Sequence, residues 1–240
     1  MTFEKIIKII SRTLAFIFVF AMADSFYLSQ KGFAWINGEL VLVKEANAQV
    51  MPVKNNVVPA QFVIEEKHVL GDKNAPVTIY EFSSFGCSHC ADFHLNYLPK
   101  LQKEYIDKGQ LKLVFVDFPI DKKSMKAAML SQCMPEDKYF ELLNVLFKKQ
   151  MSWGLSFKTE KILASYAELL GVDNKKANQC MNNDDVAREI ISLQQKAAEQ
   201  LQIRGTPAFL IRAGKQSEMI YGLQEYEGFQ QILNKYLNFN

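Results

Sequence analysis

Residues 82–94 read FSSFGCSHCADFH and place Cys87 and Cys90 in a C-x-x-C arrangement. The segment follows an apolar, β-branched run at 77–82 that predicts a strand, and it begins a region with helical spacing. Cys87 is therefore expected at the start of a helix, where unpaired N–H groups and the helix dipole favour a thiolate. His89 lies between the two sulfurs and can add positive charge or a hydrogen bond. The thiolate is the nucleophile of disulfide exchange, so the segment predicts a redox-active dithiol.

The composition is that of a globular protein. The chain has 240 residues, of which 49% are hydrophobic and 22% are charged, and its formal net charge is +2. This length is enough for one large domain or for a domain with an insertion. The basic residues do not form the clusters that a nucleic-acid-binding face needs, so we expect no nucleic-acid partner.

The N-terminus has the pattern of an export signal. Basic residues precede an apolar core at 13–23, and Ala21-Met22-Ala23 offers a cleavage site before Asp24. We predict that residues 1–23 are a signal peptide and that the protein is exported to the periplasm. An uncleaved membrane anchor through residues 13–28 is the alternative. Residues 24–60 have the composition of a tail or linker without a core of its own.

The four cysteines form an even set. Cys87 and Cys90 are one natural pair, and in an oxidising compartment we expect Cys133 and Cys180 to form a structural disulfide. The alternative for the second pair is two buried free thiols. A zinc site at the C-x-x-C could recruit His94, but a fourth ligand at usable spacing is missing, so we predict no metal. A static Cys87–Cys90 disulfide is disfavoured because a strand, a C-x-x-C and a helix in succession is the context that exchange chemistry needs.

The remaining patterns indicate strands that alternate with helices. A strand, a helix and a second strand within about forty residues form a βαβ unit with parallel strands. A long helical segment, Gly205-Thr206-Pro207, a β-hairpin and an amphipathic helix follow. The predicted elements are an edge strand within 61–70, strands at 77–82 and 111–118, a helix from Cys87 to about Leu101, helices over 121–201, hairpin strands at 208–211 and 218–221, and a last helix over 223–237.

This order, together with three motifs, resembles the thioredoxin fold of the DsbA-type thiol–disulfide oxidoreductases. The motifs are Cys87-Ser88-His89-Cys90, Gly205-Thr206-Pro207, and Val116-Asp117-Phe118-Pro119 before the helical segment. The resemblance covers roughly residues 61–240 and implies one α/β domain, β-α-β … β-β-α, with a helical insertion at about 121–201. The dipeptide Ser88-His89 departs from the Pro-His of the best-known strongly oxidising members.

The resemblance implies an enzyme that introduces disulfide bonds into exported proteins by dithiol–disulfide exchange. Such an enzyme needs no bound cofactor. Its partners would be reduced exported proteins and a DsbB-like membrane protein that reoxidises it, and we expect a monomer. A disulfide isomerase or reductase on the same fold is the nearest alternative. An envelope structural or binding protein on a thioredoxin-like scaffold is a remoter one.

The resemblance also implies roles for individual residues. Cys87 would be the exposed nucleophile and Cys90 the buried resolving thiol. Pro207 would be a cis-proline that faces the dithiol, and Thr206 would present its backbone to a bound substrate. Glu81 matches the buried acid that assists proton transfer at the resolving cysteine, and the alternative is a solvent-facing strand residue.

Four further side chains, one phenylalanine and three histidines, need separate interpretations. Phe85 flanks Gly86 and is expected to contact substrate. His89 is expected to tune the reactivity of the dithiol. His68 and His94 are expected to be ordinary surface or packing residues.

Overall fold

A computed structural model describes residues 33–36, 39–42 and 62–237 of the chain. The predicted signal peptide, residues 1–23, lies outside the described residues. Among the residues that are described, no helix is both long and apolar enough to cross a membrane.

The chain divides into two units, and the first of them is Met1–Met51. It contains a two-stranded antiparallel sheet in which β1 (Phe33–Ile36) pairs with β2 (Glu39–Leu42). The linker-like composition of residues 24–60 did not predict these strands. The remainder of the predicted linker lies outside the described residues.

The second unit, Pro52–Asn240, is built on a five-stranded sheet in the order β3-β5-β4-β6-β7. Strands β4 and β5 are parallel, and the other neighbouring strands are antiparallel. The predicted βαβ unit and hairpin are confirmed, and the predicted strand within 61–70 is a two-residue edge strand. The strands are β3 (Val69–Leu70), β4 (Val77–Ser83), β5 (Leu111–Asp117), β6 (Ala208–Ala213) and β7 (Gln216–Tyr221).

Strands β4 and β5 form the centre of the sheet. All seven residues of each strand are buried. A strand that is covered on both faces is expected to be apolar throughout, which explains the Val-, Ile- and Phe-rich composition of both. Glu81 in β4 and Asp117 in β5 are acidic exceptions. A buried carboxyl group is costly unless it has hydrogen-bonding partners, so these two side chains require an explanation.

The first helical run follows β4 and extends beyond the predicted end at Leu101. It passes from α1 (Ser88–Asp92) through a π-helical turn (Phe93–Tyr97) to α2 (Leu98–Leu101), and it ends in a second π-helical turn (Gln102–Ile106). Gly109 then adopts φ +69°, a conformation that glycine tolerates and that commonly ends a helix.

The helices between β5 and β6 make up a helical block that fills the predicted insertion. It begins at a capping box: the Asp121 carboxylate accepts from the Lys123 and Ser124 N–H groups, and the Ser124 hydroxyl accepts from the Asp121 N–H. Its longest helix is capped by the Asn183 side chain. The helices are α3 (Lys122–Ser131), α4 (Glu136–Lys148), α5 (Gln150–Gly154), α6 (Thr159–Leu169), α7 (Asn174–Met181), α8 (Asp184–Gln200) and, after β7, α9 (Tyr226–Leu237).

The helical block shares one hydrophobic core with the sheet and the C-x-x-C segment. Phe85, from the loop between β4 and α1, packs on Phe115 of β5 and on Phe147 of α4, with ring centroids 5.2 Å apart in both pairs. Burial of these rings stabilises the block, the sheet and the loop together, because removing any one of them would expose apolar surface on the others.

Cys133 and Cys180 form a disulfide within the helical block. Cys133 follows α3 and Cys180 lies in α7, with a sequence separation of 47 residues. The Lys126 ammonium also joins these helices, because it donates to the Met181 carbonyl at 2.7 Å. The disulfide therefore connects two helices that already contact each other.

Replacing both Cys133 and Cys180 with alanine is expected to lower the free energy of unfolding by about 2–4 kcal/mol, because the unfolded chain loses a crosslink that closes a long loop. Urea unfolding of the wild-type and double-variant proteins, each with Cys87 and Cys90 reduced, measures the difference. Equal midpoints and equal slopes would contradict this prediction.

Candidate active site

The C-x-x-C lies where β4 gives way to the first helical run. Cys87 is the N-cap residue of α1 and has an extended backbone, with φ −87° and ψ 125°. Cys90 lies within the first turn of that helix. The sulfur of Cys87 is therefore next to N–H groups that have no partner within the helix, as the sequence predicted.

The loop before Cys87 is held closely against the start of the helical block. A Cβ atom on Gly86 would lie 2.6 Å from Oδ2 of Asp121 and 3.2 Å from Cβ of Ser124, so a larger residue would require the Asp121 carboxylate to shift. The Ser84 hydroxyl accepts from the Gly86 N–H at 3.2 Å and from the Ile120 N–H at 3.3 Å. These contacts fix the direction in which the chain enters α1.

Gln150 makes a further connection to this loop. Its Nε2 donates to the carbonyl oxygen of Phe85 at 2.7 Å and to that of Cys87 at 2.9 Å. Gln150 is the first residue of α5, and it lies 63 residues beyond Cys87 in the chain. Sequence reasoning missed this residue, because a single glutamine in a helical segment carries no signal of its target.

The two thiols differ in accessibility. Cys87 is 8% exposed and Cys90 is 0% exposed, and both are free thiols in this structure. The expectation of an exposed nucleophile is corrected to a nucleophile that is only marginally accessible. Packing explains the difference, because Cys87 belongs to the shared core and its sulfur lies 3.2 Å from the Thr206 carbonyl oxygen.

Hydrogen bonds make Cys87 unusually acidic. The bond from the Cys90 thiol is the largest cause and lowers the pKa of Cys87 to about 5, against the opposing effect of burial. The N–H groups of Cys90 and His89 contribute in the same direction. Without these hydrogen-bond donors the Cys87 thiol would be mostly protonated at neutral pH. The donors therefore favour the Cys87 thiolate.

The environment of Cys90 acts in the opposite direction. Burial is the largest cause that raises the pKa of Cys90, and the adjoining Cys87 sulfur and the charge of Glu81 act in the same direction. At neutral pH the site therefore holds a Cys87 thiolate beside a protonated Cys90. The two sulfurs share one proton, so the acidity of Cys87 and the basicity of Cys90 have a common origin.

His89 contributes through its backbone. Its side chain is exposed, and its N–H group is among the causes of the lowered Cys87 pKa. The sequence suggested that the imidazole ring tunes the dithiol. The contribution of His89 to the lowered pKa of Cys87 comes from its backbone N–H, which any helical residue other than proline would supply.

The Thr206–Pro207 peptide bond faces the dithiol and is cis. In its thiol form Cys87 donates to the Thr206 carbonyl oxygen at 3.2 Å. Pro207 is buried at the start of β6, and its own carbonyl accepts from the Gly222 N–H at 2.9 Å. The structure thus brings Thr206, Pro207 and the two cysteines together, although more than a hundred residues separate them in the chain.

Glu81 is buried beneath the dithiol and is paired with a histidine. Its side chain is 0% exposed, and its Oε2 lies 2.8 Å from Nε2 of His94. The alternative of a solvent-facing strand residue is therefore wrong.

His94 was expected to be an ordinary surface or packing residue, and its contact with Glu81 is the second feature that sequence reasoning missed. The C-x-x-C-x-x-x-H spacing places it one helical turn beyond Cys90, which is a signal in retrospect.

Phe85 does not contact solvent. The expectation that it binds substrate is corrected, because its side chain is 1% exposed and packs between Phe115 and Phe147. Phe85 is part of the core shared by the sheet and the helical block.

A second buried acid, Asp117, lies opposite Ser83 at the end of β5. Its Oδ2 accepts from Gln132 at 2.7 Å, and burial raises its pKa to about 7 despite that bond. Asp117 borders a cavity of about 300 Å³ between β5 and α8, which His68 and Leu193 also line. Neither cysteine lines this cavity.

Within the described part of the chain, no group of three or more His, Cys, Asp or Glu side chains is arranged to hold a metal ion. His94, the residue that a zinc site at the C-x-x-C could recruit, is instead directed at Glu81.

Comparison with known proteins identifies the family. A family model described as Thioredoxin matches residues 64–235, well over half of the chain. The chain belongs to the thioredoxin family. It is DsbA-like within that family: it is similar to Wolbachia pipientis alpha-DsbA1, with 29% identity, a TM-score of 0.68 and coverage of 73% of this chain and 93% of that one. BdbD from Bacillus subtilis in its oxidised state is similar at 25% identity, a TM-score of 0.63 and coverage of 71% and 92%.

Curated relatives of this thioredoxin-family protein agree with the structural neighbours. Disulfide bond formation protein D of Bacillus subtilis is 25% identical over 188 residues, 76% of this chain and 82% of that protein. A candidate protein-disulfide oxidoreductase of Rickettsia conorii is 31% identical over 170 residues, 70% of this chain and 60% of that protein. The match spans 66% of a Rickettsia prowazekii relative, so the chain covers about two thirds or less of the rickettsial proteins.

Replacing Cys90 with alanine is expected to raise the pKa of Cys87 towards the ordinary thiol range, because the largest cause of its acidity is removed. The ultraviolet absorbance of the thiolate, followed against pH in the Cys133→Ala, Cys180→Ala background, measures the change. The matched variant His89→Ala keeps the backbone N–H, and we expect a smaller change. A larger shift for His89→Ala than for Cys90→Ala would show that the imidazole dominates.

The stability of the reduced protein is expected to depend on pH. The folded pKa of Cys87, about 5, lies below that of an unfolded thiol. The thiolate therefore contributes stability that is fully present above about pH 8.5 and is lost as the pH falls through about 5. Urea unfolding of reduced and oxidised protein across this range measures the effect. The free energy of unfolding of the reduced protein should fall relative to that of the oxidised protein as the pH decreases. If the difference between the two forms does not change with pH, the lowered pKa of Cys87 is refuted.

Proposed function

We propose that this protein is a thiol–disulfide oxidoreductase that introduces disulfide bonds into exported proteins. The observation that carries the proposal is the position of Cys87 at the N-cap of α1, beside the buried Cys90 and facing the cis Thr206–Pro207 bond; the lowered pKa of Cys87, about 5, agrees with it. The names of its relatives, protein-disulfide oxidoreductase and disulfide bond formation protein D, support the same activity.

The proposed reaction begins with an oxidised Cys87–Cys90 pair. A substrate thiolate attacks the Cys87 sulfur, the Cys87–Cys90 bond breaks, and Cys90 leaves as a thiolate that takes up a proton. A second substrate thiolate then attacks the substrate sulfur of the mixed disulfide, and Cys87 leaves as a thiolate. Two electrons pass from the substrate to the protein, and the substrate gains one disulfide.

The acidity of Cys87 supports the oxidising direction. A thiolate that is stabilised in the folded protein favours the reduced form and so makes the disulfide a stronger oxidant. A thiol of low pKa is also the better leaving group, which favours release of the substrate from Cys87. Cys90 is the poorer leaving group, so the first step depends on a proton donor near its sulfur.

We assign substrate binding to an exposed apolar surface on the segments that contact the loop around Cys87, in place of Phe85: the Ile120 N–H donates to the Ser84 hydroxyl, and Gln150, next to Met151, donates to the Cys87 carbonyl. Its members are Ile120, Met151, Leu155 and Phe157, all of them exposed. Gln150 holds this part of the block against the Cys87 backbone. An exposed cluster of large apolar side chains suits an unfolded polypeptide, whose own apolar residues are accessible.

The remaining parts of the proposal concern the cell. Residues 1–23 would direct export to the periplasm, and a DsbB-like membrane protein would reoxidise the dithiol. The working form would be a monomer. Sedimentation of the protein without residues 1–23 tests this last point, because a dimer would favour the isomerase alternative.

The reduction potential of the Cys87–Cys90 pair tests the direction of electron flow. Equilibration with glutathione buffers, with Cys133 and Cys180 left bonded, should give a value near about −120 mV, that of a strong oxidant. A value near about −270 mV would mean that the pair is suited to reduction, and the oxidase assignment would be withdrawn.

A substrate assay accompanies this measurement. The oxidised protein should form disulfides in a reduced, unfolded protein, and Cys87→Ala should abolish that reaction. The matched control, Cys133→Ala with Cys180→Ala, removes two cysteines away from the site and should retain it. Full activity in Cys87→Ala would support a binding protein on this scaffold.

A further inference from the structure

His94 is held rigidly beneath the dithiol. It lies in the π-helical turn Phe93–Tyr97, which continues directly from the helix that carries Cys90. π-Helical turns are rare and often occur at functional sites, because they re-aim a side chain within a helix. The His94 side chain is 2% exposed, and its Nε2 is 2.8 Å from Oε2 of Glu81.

Three aromatic rings fix the plane of the imidazole. Phe147 of α4 stacks on it, with centroids 4.4 Å apart and an interplanar angle of 17°. Phe93 and Phe115 meet it edge-on, at 5.5 and 5.6 Å. The rings come from the helical block, the first helical run and the sheet. The plane of the imidazole is therefore set by packing from three parts of the fold.

The two oxygens of Glu81 have different surroundings. Oε2 is engaged by His94, whereas Oε1 is buried and has no hydrogen-bond partner in the part of the chain that is described. The carboxylate charge acts on Cys90, whose pKa it raises. A buried oxygen without a hydrogen-bond partner lowers the stability of the folded protein. Such atoms are few in native structures, and a catalytic role is one explanation for them.

We propose that His94 is a positioning residue for proton transfer at Cys90. Its Nε2–H donates to Oε2 of Glu81, holds the carboxyl group in one orientation and leaves Oε1 as the atom that exchanges a proton with Cys90. The inference rests on the proposed function, because it concerns the resolving cysteine of that reaction.

The proton balance is simple in both directions. When a substrate thiolate breaks the Cys87–Cys90 bond, the departing Cys90 thiolate takes the proton from Oε1. When an oxidant such as glutathione disulfide regenerates the bond, one glutathione thiolate leaves and Cys87 carries the other as a mixed disulfide. Cys90 then gives its proton to Oε1, attacks Cys87 and releases the second glutathione thiolate. His94 keeps its Nε2–H throughout.

Other titratable groups surround the pair and must be separated from it. Cys90 in α1 is one neighbour, because the charge of Glu81 raises its pKa, and Cys87 lies at the start of the same helix. Tyr139 of α4 is another: burial, then the charge of Asp117 and last that of Glu81 raise the pKa of its phenol. Asp117 acts on Tyr139 from β5, and its own carboxyl titrates near neutrality. The experiment therefore needs an Asp117→Asn background as well as the wild type.

The test is the pH dependence of the step in which Cys90 resolves the mixed disulfide of Cys87 with glutathione. Rapid acid quench and mass spectrometry follow this step. In His94→Phe the carboxyl group loses the hydrogen-bond donor that orients it and favours its charged form, so the resolving step should need a higher pH to reach its full rate. The rate should fall about 10-fold at neutral pH, and the profile should move upward by about one unit.

Two controls separate positioning from packing. His94→Gln keeps a side-chain N–H donor near the place of Nε2 and should restore the profile to near that of the wild type. His68→Phe replaces another aromatic-stacked histidine, which packs on Tyr139, and should leave the position of the profile unchanged. The shift caused by His94→Phe should persist in the Asp117→Asn background.

The outcomes are distinguishable. A folded His94→Phe protein with the wild-type profile overturns the inference, and so does a His94→Gln protein that is as slow as His94→Phe. Nitrogen NMR of the wild-type protein gives an answer even where His94→Phe does not fold: Nε2 of His94 should carry its proton in both redox states, and an unprotonated Nε2 overturns the proposal. A wild-type protein that does not exchange with glutathione disulfide refutes the proposed function itself.

Discussion

The coupling between the sulfurs of Cys87 and Cys90 is the interaction on which the chemistry of this protein depends. It stabilises a thiolate at the start of α1 and at the same time keeps the second sulfur protonated. A thiol–thiolate pair of this kind is asymmetric although its members are chemically identical. The asymmetry comes from the fold, because Cys87 lies at the helix start that follows β4, and the first turn of that helix places Cys90 in the core.

The surrounding structure serves to hold that pair in place. Asp121, Ser124 and Gln150, all from the helical block, fix the loop before Cys87 from one side. The Thr206–Pro207 segment closes the other side. Phe147, also from the block, sets the ring of His94 beneath the pair. The block therefore contributes to the backbone around the nucleophile and to the buried acid–histidine pair, as well as to the core.

Much of this arrangement could be predicted from the sequence. The strand, C-x-x-C and helix in succession gave the position of Cys87, and the order of elements gave the sheet and the insertion, because both signals are local and periodic. Glu81 was expected to be buried only by resemblance, since a single acid in an apolar strand has two opposite interpretations. Phe85 was assigned to the surface from its place beside a glycine, but burial is decided by Phe115 and Phe147, which are distant in sequence. Gln150 and His94 were missed because their roles exist only in three dimensions.

Gly86 has a consequence for how such proteins can diverge. Its missing side chain leaves space for Asp121, a residue whose carboxylate is already committed to two backbone N–H groups at the start of α3. The glycine and the capping aspartate therefore constrain each other across the boundary between the sheet domain and the insertion. A helical insertion exchanged between relatives would have to bring a matching first turn with it. In this chain the first turn of the insertion and the loop before Cys87 fit each other, so the insertion does not behave as an independent module.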